Sequence, residues 1–467
     1  MKLKTYLLLA ALGLHSISQP VRADETSDAI GQLKSQVEEL TQKIKALERN
    51  REIEKEAAEE KKKATPTLSA GADGFWFRSA ETNFALRIRG YGQFDGRYYG
   101  GTARAARDTF TIRRLRLGLE GTVYQNYDYK VLTDFGSGIT STPANNAFLQ
   151  DAYVNIHYWP EFQVQLGKFK EPVSLEVLQS DANLLFVERG FPTQLAPNRD
   201  VGIQFQGDLF KNRLSYAAGV FNGVPDGGSG DVETTDSEKD FAGRIFAKPF
   251  KTTDIAALQG LALGVGASYG RQDGALGTYV TPGRQRFFSY LSGAGALATP
   301  NVAAAGEHLR LAPQGYWYWK QFGLFGEYVL SRQQVKRVSG ATANVARLDN
   351  EAWNVAVSYV LTGEDNAFNT PTPLHPVSFK EGGWGAWEVA ARYGELSIDN
   401  GAFPLFASAG SARKISSWGL GLNWYLNKNL KFNFDYEQSL FDAGTVKPNT
   451  VTSQDEHVFL GRAQFAF

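Results

Sequence analysis

The sequence predicts an all-β chain: a transmembrane antiparallel β-barrel of about sixteen strands, preceded by an α-helical coiled-coil segment. Three observations lead there. The chain ends on EHVFLGRAQFAF, Glu456 to Phe467, where Phe459, Gly461, Ala463, Phe465 and Phe467 alternate with a more polar set. Successive side chains of a strand point to opposite faces, so this is a strand with one greasy face that stops on an aromatic, the form of a strand closing a membrane barrel. The chain begins on MKLKTYLLLAALGLHSISQPVRA, with Lys2 and Lys4, an apolar run from Tyr6 to Leu14, and Val21 and Ala23 where a signal peptidase reads. Residues 1–23 are thus read as a secretory signal, too short to span a bilayer. No later segment is continuously apolar for about twenty residues, which leaves the closed barrel as the way into a membrane.

Composition agrees. Hydrophobic residues make up 43% of the chain, while Phe 31, Tyr 20 and Trp 9 supply aromatic girdles for two membrane interfaces. With Cys 0 and Met 1, disulfide and thiol chemistry are excluded. The formal charge is +0, and removing Lys2, Lys4 and Arg22 with the signal leaves a slight acidic excess. Bulk charge therefore predicts no anionic macromolecule as partner, nucleic acid included.

In chain order, residues 24–63 read as a charged helix. Ile30, Leu33, Val37, Leu40, Ile44 and Leu47 recur at spacings of three and four, a heptad seam with β-branched residues at one position and Leu at the other. Such a seam implies a homo-oligomer and leaves dimer and trimer open. Past Leu47 it becomes Arg51, Glu54 and Ala58, so the coil is expected to fray into a linker over 64–83. From residue 84 to 467 the period is two. Leu86 and Ile88 alternate with Arg87 and Arg89. In FTIRRLRLGLEGTV, Leu115, Leu117 and Leu119 oppose Arg114, Arg116 and Glu120. In NYDYKVLTDFG, Asp128, Lys130 and Asp134 face inward. The alternation recurs in DAYVNIHYW, FQVQL, DVGIQFQGDL, RLSYAAGVF, DFAGRIFAKPF, LALGVGASYG, QGYWYWK, FGLFGEYVL, AWNVAVSYVL, GAWEVAARYGEL, SSWGLGLNWYL, NLKFNFDYEQSLF and the terminal strand.

Tight turns near 125, 160, 211, 320 and 428 alternate with longer loops near 101, 141, 226, 340, 403 and 445, which assigns the tight turns to the periplasm. One turn breaks the rule, since Gly363 to Gly383 is long and Pro-rich. The third long connection, Phe169 to Asp200, carries Leu175, Val177, Leu178, Leu184, Leu185 and Phe186, too many apolar groups for a loop in water. It is expected to fold into the barrel and narrow it.

FTIRRLRLGLEG, GKFKEPVSLE with FVERGFPTQLAPNRDVGIQ, TPGRQRFFSY, LAPQGYWYWKQFGLFGEYVLS, AWNVAVSYVLTGE, GGWGAWEVAARYGELSID, GLNWYLNKNLKFNFDYEQSLF and RAQFAF together resemble the phosphate-selective porins O and P over nearly all of the chain after residue 84. The resemblance implies a sixteen-stranded homotrimeric porin of the bacterial outer membrane. It also implies that loop three, loop five and the long turn fold inward.

A pore selects anions by lining a narrow low-dielectric lumen with Arg and Lys, and guanidinium suits phosphate because its planar donors bind two oxygens at once. Strand parity turns Arg87, Arg89, Arg114, Arg116, Lys130, Arg244 and Lys248 inward, with Arg213 at the periplasmic rim. Lys168, Lys170, Arg189 and Arg199, in or beside loop three, are candidates for the constriction, and the resemblance adds Arg284 and Arg286 of loop five. Against them stand inward Glu120, Asp128, Asp134, Asp151 and Asp208, and Glu171, Glu176, Asp181 and Glu188 in loop three. The loop from Asp226 to Asp240 holds six acids against Lys239, a mouth that repels phosphate or binds cations bridging lipopolysaccharide. An enzyme barrel is disfavoured, because His157, His308, His375 and His457 have neither a nucleophile motif nor a second metal ligand at useful spacing. The expected activity is passive diffusion of small anions, phosphate or polyphosphate, through a basic constriction, with neither cofactor nor metal. The alternatives are a general or weakly cation-selective pore and a structural anchor whose coiled coil contacts the cell wall.

Overall fold

The computed structural model describes residues 23–100, 107–136, 148–232, 237–292, 301–339, 341–442 and 455–467. The expected signal lies, apart from Ala23, outside the described residues. The chain divides into two units at Thr65 and Pro66.

The first unit holds helix α1 (Ala23–Ala64). It runs on past Leu47, where the seam fails, because the Glu, Lys and Ala of residues 51–64 are good helix formers whether or not a face is apolar. Pro66 then cannot continue it. Ile30, Leu33, Val37, Leu40, Ile44 and Leu47 are all more than half exposed on the single chain.

The second unit is built from β1 (Thr67–Gly71), β2 (Gly74–Arg78), β3 (Phe84–Gly100), β4 (Thr109–Val123), β5 (Tyr127–Asp134), β6 (Phe148–Trp159), β7 (Phe162–Lys170), β8 (Arg199–Leu209), β9 (Leu214–Phe221), β10 (Asp240–Ala247), β11 (Leu261–Gly274), β12 (Thr278–Val280), β13 (Arg286–Ser289), β14 (Asn301–Trp319), β15 (Phe322–Ser339), β16 (Thr342–Val360), β17 (Ala386–Ser397), β18 (Lys414–Tyr425), β19 (Leu430–Asp442) and β20 (Glu456–Ala466). Sixteen of these, β3 to β11 and β14 to β20, pair antiparallel with their neighbours. β20 returns to β3, from His457↔Gly100 to Ala466↔Tyr91, so the barrel is closed and exposes no sheet edge. Residues 67–78, within the stretch expected as linker, are a hairpin instead. β2 pairs with β3 from Phe75↔Ile88 to Arg78↔Ala85, alongside the part of β3 that extends beyond the end of β20.

Alternation sets the two faces. Leu115, Leu117 and Leu119 are exposed outward while Arg114 and Arg116 are buried inward. Outward aromatics gather at both rims: Tyr124, Tyr158, Trp159, Phe210 and Trp319 at the end with the tight turns, and Phe94, Tyr98, Phe110 and Phe459 toward the other. Near 340, where a longer loop is expected, β15 and β16 stay paired up to Ser339↔Thr342.

Three connections fill the lumen. Loop three starts with Val173, enters the four-residue helix α2 (Leu175–Leu178), and is clamped by the wall. Gln93 Nε2 donates to Asp181 O (2.9 Å), Gln464 Nε2 to Ala182 O (3.0 Å), Lys431 Nζ to Leu184 O (3.2 Å), Asn423 Nδ2 to Leu185 O (3.0 Å) and Arg392 Nη1 to Glu188 O (2.8 Å). Buried backbone that no sheet satisfies is thus satisfied by inward side chains. Loop five carries the β12–β13 hairpin, whose Tyr279, Phe287 and Phe288 pack with Phe191, Leu195, Phe403 and Phe406 against inward Val335, Leu348, Leu396 and Ile415. The inward face of that arc is therefore dry, where alternation alone predicts a wet one. The long turn also folds in: Phe368 stacks on Tyr316 at 5.0 Å, and Asn183 Nδ2 donates to Asn369 Oδ1 at 3.0 Å, joining the turn to loop three.

Candidate functional site: the charged lumen

With one arc packed, the open lumen runs along β3 to β10 as three adjoining cavities. The upper one, on the loop side, is ≈ 510 Å³ and is lined by Arg113, Arg114, Arg116, Arg189, Arg199 and Arg284, with Asp134, Asp181, Glu188 and Asp226. The middle one, ≈ 390 Å³, is lined by Arg89, Arg116, Lys130, Lys170 and Arg199, with Glu120, Asp151 and Asp181. The lower one, ≈ 330 Å³, has Lys170, Arg244 and Asp208. Arg116, Asp181 and Arg199 belong to both upper and middle cavities and mark the waist between them.

Asp181 of loop three is the hub of that waist. Arg114 approaches it at 3.1 Å and Arg189 at 2.5 Å, and Arg116 donates to its second oxygen. Burial alone would raise this carboxyl, but Arg114, Arg189, Arg116 and Lys170 hold it well below the usual carboxylate range. Glu188 repeats the pattern one step toward the loops, with Arg97 at 2.7 Å and Arg113 at 2.8 Å. Burial works against its ionisation too, and Arg113, Arg97 and Arg284 override it, so Glu188 also lies well below the usual range.

The other expected bases are mostly committed as well. Arg87 and Arg89 share Glu120 at 3.0 and 3.2 Å, Arg116 holds Asp134 at 2.7 Å, and Lys130 and Arg199 share Asp151 at 2.9 and 2.8 Å. Lys168 pairs with Asp231. Lys170 Nζ donates to the Gln179 carbonyl at 2.8 Å, and Arg244 donates to Gln314 Oε1 at 2.8 Å while lying over the Phe246 ring. Arg284 sits at φ +68° in a turn held by its N–H to Thr281 O, which displays its side chain to the upper cavity.

Of the expected set, the geometry gathers Arg89, Arg114, Arg116, Lys130, Lys170, Arg189, Arg199, Arg244 and Arg284 along one path. Arg87, Lys168, Lys248 and Arg286 line none of these three cavities. Lys248, placed inward by parity, lies just past the end of β10, where the strand and its alternation stop. The acidic mouth is also reduced at its edges. Asp226 turns in to Arg310 at 2.8 Å, and His308 and Arg310 together bring its carboxyl down to about 2 against the effect of burial. Asp231 is taken by Lys168, while residues 233–236 lie outside the described residues.

The family model of the phosphate-selective porins O and P matches residues 84–467. The chain belongs to that family. As a member it is an outer-membrane porin, and its barrel has relatives among solved channels. It is similar to the outer-membrane channel DcaP of Acinetobacter baumannii at 12% identity, with 85% of this chain and 100% of that one covered and a TM-score of 0.53. It is also similar to an anion-selective porin from Comamonas acidovorans at 14% identity, with 82% and 100% covered and a TM-score of 0.50. These likenesses show the fold alone. No curated protein sequence matches the chain.

Sequence reasoning missed Arg113 and Arg97 in the porin's lumen. Strand β4 carries a bulge opposite Gln93 and Phe94, where Arg114 pairs with Gln93 and Ile112 with Phe94, leaving Arg113 as the extra residue. A bulge lets two consecutive side chains face one side, and the Arg113–Arg114 doublet was the one signal for it. Arg97 was hidden in GYGQFDGRYY, where a string of glycines obscures the parity.

Proposed function

We propose that this porin passes small anions by passive diffusion, with phosphate among them as the family's description implies. The observation that carries the reading is local charge. The three adjoining cavities are lined by ten basic groups, Arg89, Arg113, Arg114, Arg116, Lys130, Lys170, Arg189, Arg199, Arg244 and Arg284, against seven acidic ones, Glu120, Asp134, Asp151, Asp181, Glu188, Asp208 and Asp226. A chain of formal charge +0 therefore carries a net positive path. In a narrow lumen with low-dielectric walls that excess raises the local concentration of anions. A neighbour in fold is an anion-selective porin. On this reading the N-terminal segment lies in the periplasm, the side to which the tight turns are assigned. The apolar seam of α1, exposed on the single chain, supports a homo-oligomer, and the resemblance to the family is what makes it a homotrimer, with barrels in outer-membrane lipid beside lipopolysaccharide.

The test is a pair of variants in planar bilayers. Arg114→Ala with Arg116→Ala should shift permeability toward cations, and Asp181→Asn should shift it toward anions. One charge about 6 Å from a permeating ion in water is worth about 0.7 kcal/mol, roughly threefold in relative permeability. An unchanged ion preference in both would remove the waist from the filter.

A second reading, a structural anchor that uses the coiled coil to contact the cell wall, is favoured by the length of α1 alone.

A further inference from the structure

The geometry points to organic carboxylates with an apolar body, aromatic or short aliphatic acids, as the solutes the middle cavity takes ahead of inorganic phosphate. This rests on the anion-preferring reading above and names the class of anion. The first ground is which cations remain available. Four of the five bases lining the cavity already hold a carboxylate: Arg89 with Glu120, Arg116 with Asp134, and Lys130 and Arg199 with Asp151. Lys170 is bonded to a carbonyl, Gln179 O. Orthophosphate is compact and strongly hydrated, so it gives up water only to several donors at once, and here most are occupied. A monocarboxylate asks for one cation.

The second ground is apolar wall where a water-filled lumen needs none. Leu132 stands at an inward position between Lys130 and Asp134, beside Gly118, where an added Cβ would lie 3.2 Å from Leu132 Cδ1. Leu178 faces the same cavity from loop three. Among the described residues, neither leucine belongs to the apolar clusters that pack the barrel interior. Tyr153 and Phe169, edge to face at 6.1 Å, extend the apolar side. Apolar wall with one available cation is the arrangement that seats a small molecule having a greasy body and a single charged end. The upper cavity is ringed instead by six guanidinium groups, and the lower shares Lys170 and Leu178 with the middle one but has neither Leu132 nor the Tyr153–Phe169 pair.

The experiment uses the purified full-length protein in planar bilayers. A KCl gradient first reads anion preference. The concentrations of benzoate, acetate and orthophosphate that halve the chloride current are then compared. Benzoate is expected to block at a concentration roughly tenfold below acetate, the gain from covering one ring with apolar wall, and below phosphate. Leu132→Asn with Leu178→Asn should bring benzoate toward acetate while leaving the KCl reversal potential and the acetate value unchanged. Leu178→Asn alone, on a loop and away from strand pairing, should do so in part. Anion preference with phosphate blocking at the lowest concentration, or with benzoate and acetate alike, overturns this inference and leaves the anion pore standing. So does a benzoate value that neither variant moves. Absence of anion preference overturns the reading beneath it.

Discussion

Glu171 and Asp181, ten residues apart in loop three, have opposite electrostatic fates. Asp181 meets three guanidinium groups, whereas both carboxylate oxygens of Glu171 lack a hydrogen-bond partner among the described residues. Burial pushes the Glu171 carboxyl well above its usual range; Arg310 opposes the shift, and Asp240 and Asp200 add to it. A carboxyl raised by folding keeps a proton that the unfolded chain has already lost. Its effect is therefore destabilising as pH climbs from the unfolded value of about 4.3 toward the folded one, by about 1.4 kcal/mol per pH unit crossed. Glu171→Gln should accordingly unfold at a higher temperature than the parent in detergent at neutral pH, with the gap closing near pH 4; a gap independent of pH would contradict the assignment. Asp181 has the opposite sign, contributing stability above the unfolded carboxylate value and losing it only as pH falls through its depressed one. The sequence placed acids among the bases of loop three correctly as a group. It had no means of telling the paired Asp181 and Glu188 from the unpaired Glu171, because pairing depends on which strands a loop of this length reaches when it turns inward.

Among the elements, the strands were the most legible, because a period of two survives any tilt or curl of the sheet. What the alternation did not reveal were its interruptions: the bulge that brings Arg113 into the lumen, and the dry arc where Leu348, Leu396 and Ile415 meet loop five. The hairpin of residues 67–78 was lost in a short segment with turn residues at its centre. Loop three was expected inside from its apolar content alone, and its seat depends on small wall residues. A Cβ at Gly266 would lie 2.1 Å from Val173 O. Gly266→Ala should push the start of the loop off the β11 wall into the lumen, cost about 1–3 kcal/mol, and lower single-channel conductance; an unchanged conductance would mean that this part of the loop does not border the path. The helix calls for a different test. Deleting residues 24–63 should preserve conductance while lowering the temperature at which oligomers dissociate. Conductance lost along with the helix would tie α1 to the pore itself.

At the scale of the molecule, a closed wall, an inward loop and two further inward connections turn a wide barrel into a narrow path along one arc. The wall supplies charges at fixed heights, and loop three brings Asp181 and Glu188 among them, so net lumen charge is a small difference between large opposing sets. That difference, and not the number of arginines, decides what passes. It also explains why bulk composition was silent about selectivity: the excess in the lumen is offset by acids elsewhere on a chain of formal charge +0. The most direct test is the reversal potential of the purified full-length porin in planar bilayers under a KCl gradient. The expected potential is displaced toward the chloride equilibrium value. A potential at zero, or displaced toward that of potassium, would show that the carboxylates outweigh the bases and that the lumen does not favour anions.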